Sequence, residues 1–329
     1  MAAVVLVGTA AASFVQAQVL VDEVRPAMGS PFRMVICAPD SVTGRMALEA
    51  AWARIADLER TLSDYDPGSE VSRLAGAPEG RPATLSNDLA SAVAQADAWW
   101  RRTGGAFDAG LGALTRLWRR SVRRNELPSE SDLAEARAAS GWNLIDRSRD
   151  GRSITRLARG VRLDFGGIGK GIAADEALSV LARHGLNRAI VDAGGDVTAS
   201  GAPPDRPGWL IELPGGDFRY LAHGSVATSG ATWRHVDAAE IRYSHILDPA
   251  TGRGVTGRRL VTVFAATGAD ADALATALSV LDADRAVDLA VREAWGTRIE
   301  DTSALTVIGR LPDRAPRDAK PSECRVTDS

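Results

Sequence analysis

Cysteine is nearly missing: Cys37 and Cys324 are the only two in 329 residues. That excludes a disulfide framework and any zinc site built on paired cysteine spacings. A strong charge of either sign is missing too. The net charge of −3 leaves no global basic field to argue for nucleic acid. No internal repeat recurs at a fixed period. No apolar run is long enough to span a bilayer, the longest candidate being Ala2 to Val15. That run, with small residues near Ala17, is similar to the apolar region of a secretory signal. It predicts a signal over residues 1–18 and a periplasmic or other extracytoplasmic location. The basic leader of such a signal is missing, which points to a start lying upstream. No cysteine follows the run, so a lipoprotein anchor is not supported. Were the run a buried strand or helix instead, the location would be cytoplasmic.

What is present is ordinary in bulk. A hydrophobic share of 45% and a charged share of 25% describe a globular chain with a sizeable core. Phe32 to Cys37 alternates as a strand does. Leu48, Trp52, Ile55, Leu58 and Leu62 fall at helical spacing. Further helices are predicted at Asn87 to Arg102, Leu114 to Arg124 and Asp132 to Ala139. Val161, Leu163 and Phe165 alternate as a short strand. "AIVDAGGDVTASG" reads as strand, Gly-Gly bend, strand. Trp209 to Leu213, Phe218 to Leu221 and Leu260 to Ala265 are further strands. Gly268 to Leu281 is predicted to close the ordered part as a helix. Helices come early and strands late, which favours an α+β fold over a doubly wound parallel sheet. Residues 19–310 are expected to form one large domain, and the polar residues 311–329 a loosely ordered tail.

"LDFGGIGKGIAADEALSVL", from Leu163 to Leu181, sets an acid, a glycine cluster and a lysine before a helix. It is not a Walker A loop, because Asp164 takes the first glycine's place and Gly171 follows Lys170. It is a weak dinucleotide fingerprint, because Ile172 sits where the third small residue belongs. The physics survives both rejections. Glycines permit close backbone approach, and a helix starting near Lys170 aims N–H groups and a positive dipole end at an anion. Lys170 adds a point charge, and Asp164 can accept a hydrogen bond. The residues alone equally allow a glycine-rich turn with a solvated lysine.

In "GADADALATALSVL", Asp272 and Thr276 stand at i and i+4, neighbours on a helix. A carboxylate and a hydroxyl are hard ligands, suited to Mg²⁺ rather than zinc. Read alone, the pair is also what a solvated helix face looks like.

Eight segments together resemble one family, the FAD:protein FMN transferases, or ApbE-like flavin transferases. In order they are "MGSPFRM", "LSDYDPGSEVSRL", "TGGAFDAGLGALTRLW", "LDFGGIGKGIAADEAL", "VDAGGDVTASG", "VATSGATWR", "SHILDPATG" and "DADALATAL", spanning Met28 to Leu278. The resemblance implies a single large α+β domain with mixed or antiparallel sheets flanked by helices. It implies FAD as substrate and a divalent cation, usually Mg²⁺, as cofactor. The FMN half would pass to a Thr or Ser hydroxyl of a membrane-associated or periplasmic acceptor protein, with release of AMP. By motif position, Met28, Tyr65, Ala106, Phe107, Asp108, Asp164, Lys170 and Ile246 would line the FAD site. Gly167, through its carbonyl, would hold the metal with Asp272 and Thr276. Lys170 would stabilise charge on the phosphates. His245 is the candidate base and Asp248 a candidate orienting carboxylate, although a structural role at a loop start suits His245 equally. A hydrolase splitting FAD into FMN and AMP, and a non-catalytic FAD carrier, would need the same pocket.

Two features lie outside that scheme. Arg116, Arg119, Arg120, Arg123 and Arg124 form one basic stripe on a helix, either a solvated face or a contact for anionic lipid headgroups. "TSGAT", Thr228 to Thr232, resembles the Ser/Thr-Gly-Ala-Thr acceptor site of flavinylated proteins, which raises self-modification at Thr232. The resemblance places this stretch in the enzyme's own framework.

Overall fold

The structure is a computed structural model. It describes residues 18–204, 206–230, 235–238, 241–301, 304–316 and 319. The predicted signal, Thr232 and most of the polar tail therefore lie outside the described residues.

The frame is an eight-stranded sheet. Its strands are β1 (Val19–Ala27), β2 (Ser30–Ala38), β6 (Ala189–Ala193), β7 (Val197–Ser200), β10 (His223–Gly230), β14 (Leu260–Ala265), β15 (Gly296–Asp301) and β16 (Ala304–Gly309), in that spatial order. Every neighbouring pair in it is antiparallel. Both faces of its inner strands are covered, and the strand alternation shows it. Phe32, Met34 and Ile36 of β2 enter the main core, while Val35 and Cys37 enter a second one on the opposite face. Helices α1 (Ser41–Leu62), α3 (Asn87–Arg102), α6 (Gly169–Arg183) and α7 (Gly268–Val280) supply the main core. The hairpin of β8 (Trp209–Leu213) and β9 (Asp217–Leu221) closes the other face through Trp209, Ile211, Leu213 and Leu221.

Smaller units surround this frame. β3 (Pro82–Thr84), β4 (Ile145–Arg147) and β5 (Ser153–Arg156) form one three-stranded sheet. β11 (His235–Ala238), β12 (Ile241–Leu247) and β13 (Gly254–Thr256) form another. α4 (Gly112–Arg124) and α5 (Glu130–Ala138) pack with Leu247 of β12 in a satellite core around Trp118. Helix starts follow local chemistry. Asp40 accepts from the N–H groups of Val42 and Thr43 before α1, and Ser86 accepts from Leu89 before α3. The short α2 (Glu70–Ala75) is capped by Ser69 in the same way.

The α+β expectation holds, with three corrections. Val161 to Phe165 is extended and buries alternate residues, but it is no strand. Its hydrogen bonds go to an irregular loop, Asp164 N to Ala109 O at 2.8 Å and Gly112 N to Arg162 O at 3.2 Å, so no ladder forms. The ordered part does not end at Leu281. α8 (Ala283–Glu293), β15 and β16 follow, burying Leu289 and Ile299 in the main core. Residues 311–316 run beside β9, where Ala315 N donates to Phe218 O at 2.9 Å. Among the described residues, no helix is long and apolar enough to cross a membrane.

Candidate active site

The glycine segment leads into α6, whose own N-cap residue gives no side-chain cap. Gly169 N donates to Phe165 O and Gly171 N to Asp272, which leaves the Lys170 N–H and the positive dipole end for the space in front of the helix. Lys170 is not a solvated lysine. Its ammonium pairs with Asp196, a buried residue just after the Gly-Gly bend between β6 and β7. Asp196 also accepts from Thr228 N at 3.0 Å, which ties the Thr-Ser-Gly stretch of β10 into the same network. Burial would lower the lysine, but Asp272 and Asp196 outweigh it and push its pKa up to about 12. The amine stays charged at any working pH.

α7 crosses α6 beside this point. Gly171 and Gly268 touch backbone to backbone, and a Cβ added at Gly268 would lie 2.6 Å from Gly171 O. The close approach brings Asp272 within 3.3 Å of Gly171 N. Thr276, one turn on, meets Gly167: a Cβ at Gly167 would stand 2.9 Å from Thr276 Oγ1 and 3.4 Å from the Phe107 ring. Gly167, Asp272 and Thr276 therefore converge. They are not a solvated face, since α7 is buried almost all round and Asp272 is 6% exposed. Burial pushes the Asp272 carboxyl up to about 7. Lys170 opposes that rise, and the neighbouring Asp196 adds to it.

A third group was not anticipated. Arg119 leaves the basic stripe of α4 and turns inward. It pairs with Asp64 and lies 3.4 Å from Asp164. Its guanidinium sits 4.1 Å over the Tyr65 ring. Tyr65 itself is exposed, so a face remains accessible. The other Asp164 oxygen accepts from Gly166 N at 2.8 Å, fixing the start of the glycine segment. Burial raises the Asp64 carboxyl, and Asp164 nearby adds to the rise.

The remaining predicted residues have varied settings. Ala106 and Phe107 are buried, Phe107 N being held by Thr103 Oγ1 at 3.0 Å. Asp108 spends its two oxygens on Gly110 N at 2.6 Å and Trp142 N at 3.0 Å, bracing the loop, and burial raises its carboxyl. Met28 forms the two-residue turn between β1 and β2 with Gly29, at φ +49° and +74°. A left-handed methionine is unusual, and Glu59 holds it by accepting from its N–H at 3.0 Å. Ile246 is buried on β12, a strand packed against both α4 and α7, and His245 beside it is exposed. Asp248 closes its own turn, accepting from Ala250 N and Thr251 Oγ1, each at 2.9 Å.

Sequence reasoning missed Asp64, Arg119 and Asp196. Asp196 had a signal, an acid directly after a Gly-Gly bend, but nothing local named Lys170 as its partner.

The sequence profile of the ApbE family matches residues 28–298. A FAD:protein FMN transferase of Treponema pallidum is 32% identical over 266 residues, covering 74% of this chain and 73% of that protein. One from Chlamydia muridarum is 28% identical over 284 residues, covering 84% and 90%. Among solved structures, the ApbE protein of Thermotoga maritima superposes with a TM-score of 0.79 at 29% identity, covering 87% of this chain and 96% of that one. The apo flavinyl transferase ApbE of Pseudomonas stutzeri gives 0.77 at 26%, covering 88% and 94%.

Proposed function

The chain belongs to the ApbE family, and on that footing we propose that it transfers FMN from FAD to a Thr or Ser hydroxyl of an acceptor protein, releasing AMP. The observation that carries this reading is that Gly167 meets Thr276 and Asp272 meets Gly171 N beside Lys170, at the start of a helix whose own N-cap residue gives no side-chain cap. Such a place suits a pyrophosphate.

The donor set fits a hard divalent cation. It offers one buried carboxylate, one hydroxyl and the Gly167 carbonyl, all oxygen, at a spot where a Cβ at Gly167 would intrude. Among the described residues no group of three or more His, Cys, Asp or Glu is placed to hold a metal ion, whereas a zinc-type site takes three or four such ligands. Asp272, Thr276 and Gly167 would hold Mg²⁺, which when bound neutralises charge on the phosphate oxygens.

The chain's own residues do the rest. Lys170, held charged by Asp272 and Asp196, faces the pyrophosphate and favours the charge that builds on its oxygens and on departing AMP in the transition state. Tyr65, Phe107, Met28, Ala106 and Ile246 supply apolar surface to the flavin and adenine rings, and Asp164 offers an oxygen to a hydroxyl or imide. The acceptor oxygen attacks the phosphorus of the FMN half. A new P–O bond forms as the bond to AMP breaks, and AMP leaves with that electron pair. His245 takes the hydroxyl proton. The acceptor carries a Ser/Thr-Gly-Ala-Thr type site and, like this chain, works outside the cytoplasm.

Incubation with FAD, Mg²⁺ and a Ser-Gly-Ala-Thr peptide tests the reading by mass spectrometry. FMN-labelled peptide and free AMP are expected. Free FMN without label would make the protein a hydrolase, and intact FAD would make it a carrier. Asp272→Ala should abolish turnover. His245→Gln should lower kcat by roughly 10²-fold or more with KM for FAD little changed.

A further inference from the structure

α4 borders this site with more positive charge than the site uses. Its first residue, Gly112, abuts Arg162: a Cβ there would lie 2.8 Å from the Arg162 Cβ. Arg116 stands one turn further along the same face, followed by Arg120 and Arg123. Arg162 belongs to the run that carries Asp164, and both residues are partly exposed, unlike Val161, Leu163 and Phe165 between and around them. Asp64, whose charge acts on Arg162, pairs with Arg119, which reaches Asp164 at the start of the glycine segment, so the row begins next to that segment.

Among the described residues, none of these four arginines has an ion-pair partner, whereas Arg119 between them has two. Arg116, Arg120 and Arg123 are exposed and Arg162 is half-buried. Burial first, and then the facing charges of Arg116 and Arg156, hold the Arg162 guanidinium below its ordinary value. Arg116, Arg156 and Arg162 thus crowd like charge, offset at Arg162 only in part by Asp64, which is itself paired with Arg119, in a protein whose net charge is negative. That arrangement costs stability unless an anion comes to it.

Resting on the transferase reading, we infer that the row Arg162, Arg116, Arg120 and Arg123 is the docking surface for an acidic segment of the acceptor protein, next to the hydroxyl that receives FMN. The reacting hydroxyl must come to the phosphorus, so the chain flanking it must lie on the surface that borders the site. The row is narrow, as an extended chain requires. From Arg116 to Arg123 it runs ~10 Å, about three residues of extended backbone. A flat lipid surface would demand a broad plane of charge instead.

The test uses two fluorescent peptides sharing a Ser-Gly-Ala-Thr centre, one flanked on both sides by Asp and Glu, the other by Ser and Gln. Binding to the full chain is read by anisotropy, and transfer by mass spectrometry with FAD and Mg²⁺. The acidic peptide should bind roughly tenfold more tightly at low salt. High salt should erase that advantage. So should the triple variant Arg116→Gln, Arg120→Gln, Arg123→Gln, with FAD affinity unchanged. Equal binding of the two peptides, or an advantage that survives the triple variant, would overturn the inference. Loss of phosphatidylglycerol-vesicle binding in the variant, with no peptide preference in the wild type, would assign the row to a membrane and overturn it too. FMN transfer to neither peptide, despite an acidic preference, would instead sink the transferase reading and leave the docking surface intact.

Discussion

Lys170 and Gly167 show how single residues set the site. Lys170 is charged because Asp272 and Asp196 flank it, and Asp196 is tolerated in the interior because Lys170 answers it. Removing the lysine leaves a buried carboxylate without its cation. Lys170→Met should therefore lower stability by about 2–3 kcal/mol, under the range for fully buried pairs because 27% of the lysine side chain is exposed. Urea midpoints check this, and Lys170→Met with Asp196→Asn should recover part of the loss. FAD affinity should fall in both variants. Gly167 acts by having no side chain. Gly167→Ala would press a methyl on Thr276 Oγ1 and the Phe107 ring. We expect a modest cost of about 1–2 kcal/mol, with a larger rise in the Mg²⁺ concentration needed for half-maximal turnover. A normal Mg²⁺ titration for this variant would remove Gly167 from the proposed cation site.

Among the elements, the crossing of α6 and α7 matters most. It works only with glycine at both contact points, since the Gly171 and Gly268 backbones meet directly. Gly171→Ala should cost about 3 kcal/mol, near the upper end for overpacking, because a helix backbone cannot give way as a side-chain tip can. A second link reinforces the crossing. Asp175 of α6 accepts from Gly268 N at 2.7 Å and Ala269 N at 2.9 Å, capping α7 from outside that helix. Burial, the main influence, pushes the Asp175 carboxyl up to about 6, while those two N–H groups pull the other way. The folded state thus holds this proton more tightly than the unfolded chain, whose value is about 4. The resulting stabilisation is fully present below about pH 4 and is lost as pH rises through about 6. Asp175→Asn should remove this component. The difference in urea midpoint between wild type and Asp175→Asn should shift in favour of the wild type on acidification from pH 6.5 to 4.5.

Taken whole, the molecule closes its sheet with segments from the end of the described chain. β15 pairs with β14, and α8 with β15 adds Ala286, Leu289, Ala290 and Ile299 to the main core. A chain cut after Leu281 would expose that core and the edge of β14. It should be insoluble or lack a cooperative thermal transition, which a circular dichroism melt beside that of the full chain checks.

Local pattern made the elements legible. The leucines and Trp52 of α1, the alternation of β2 and the Gly-Gly bend before Asp196 are statements about neighbours in the chain, and neighbours settle periodicity, caps and turns. The same reasoning placed Asp272 and Thr276 one helical turn apart and put Lys170 at a helix start. It failed where alternation needed a partner strand, as at Val161 to Phe165, whose hydrogen bonds found a loop. It failed again at Arg119, which spacing assigns to a solvated stripe and packing turns towards Asp64 and Asp164. Which charges neutralise one another, and whether Gly167 meets Thr276, was decided only by tertiary structure. Coulomb and contact energies depend on distance through space, and distance along the chain does not determine it.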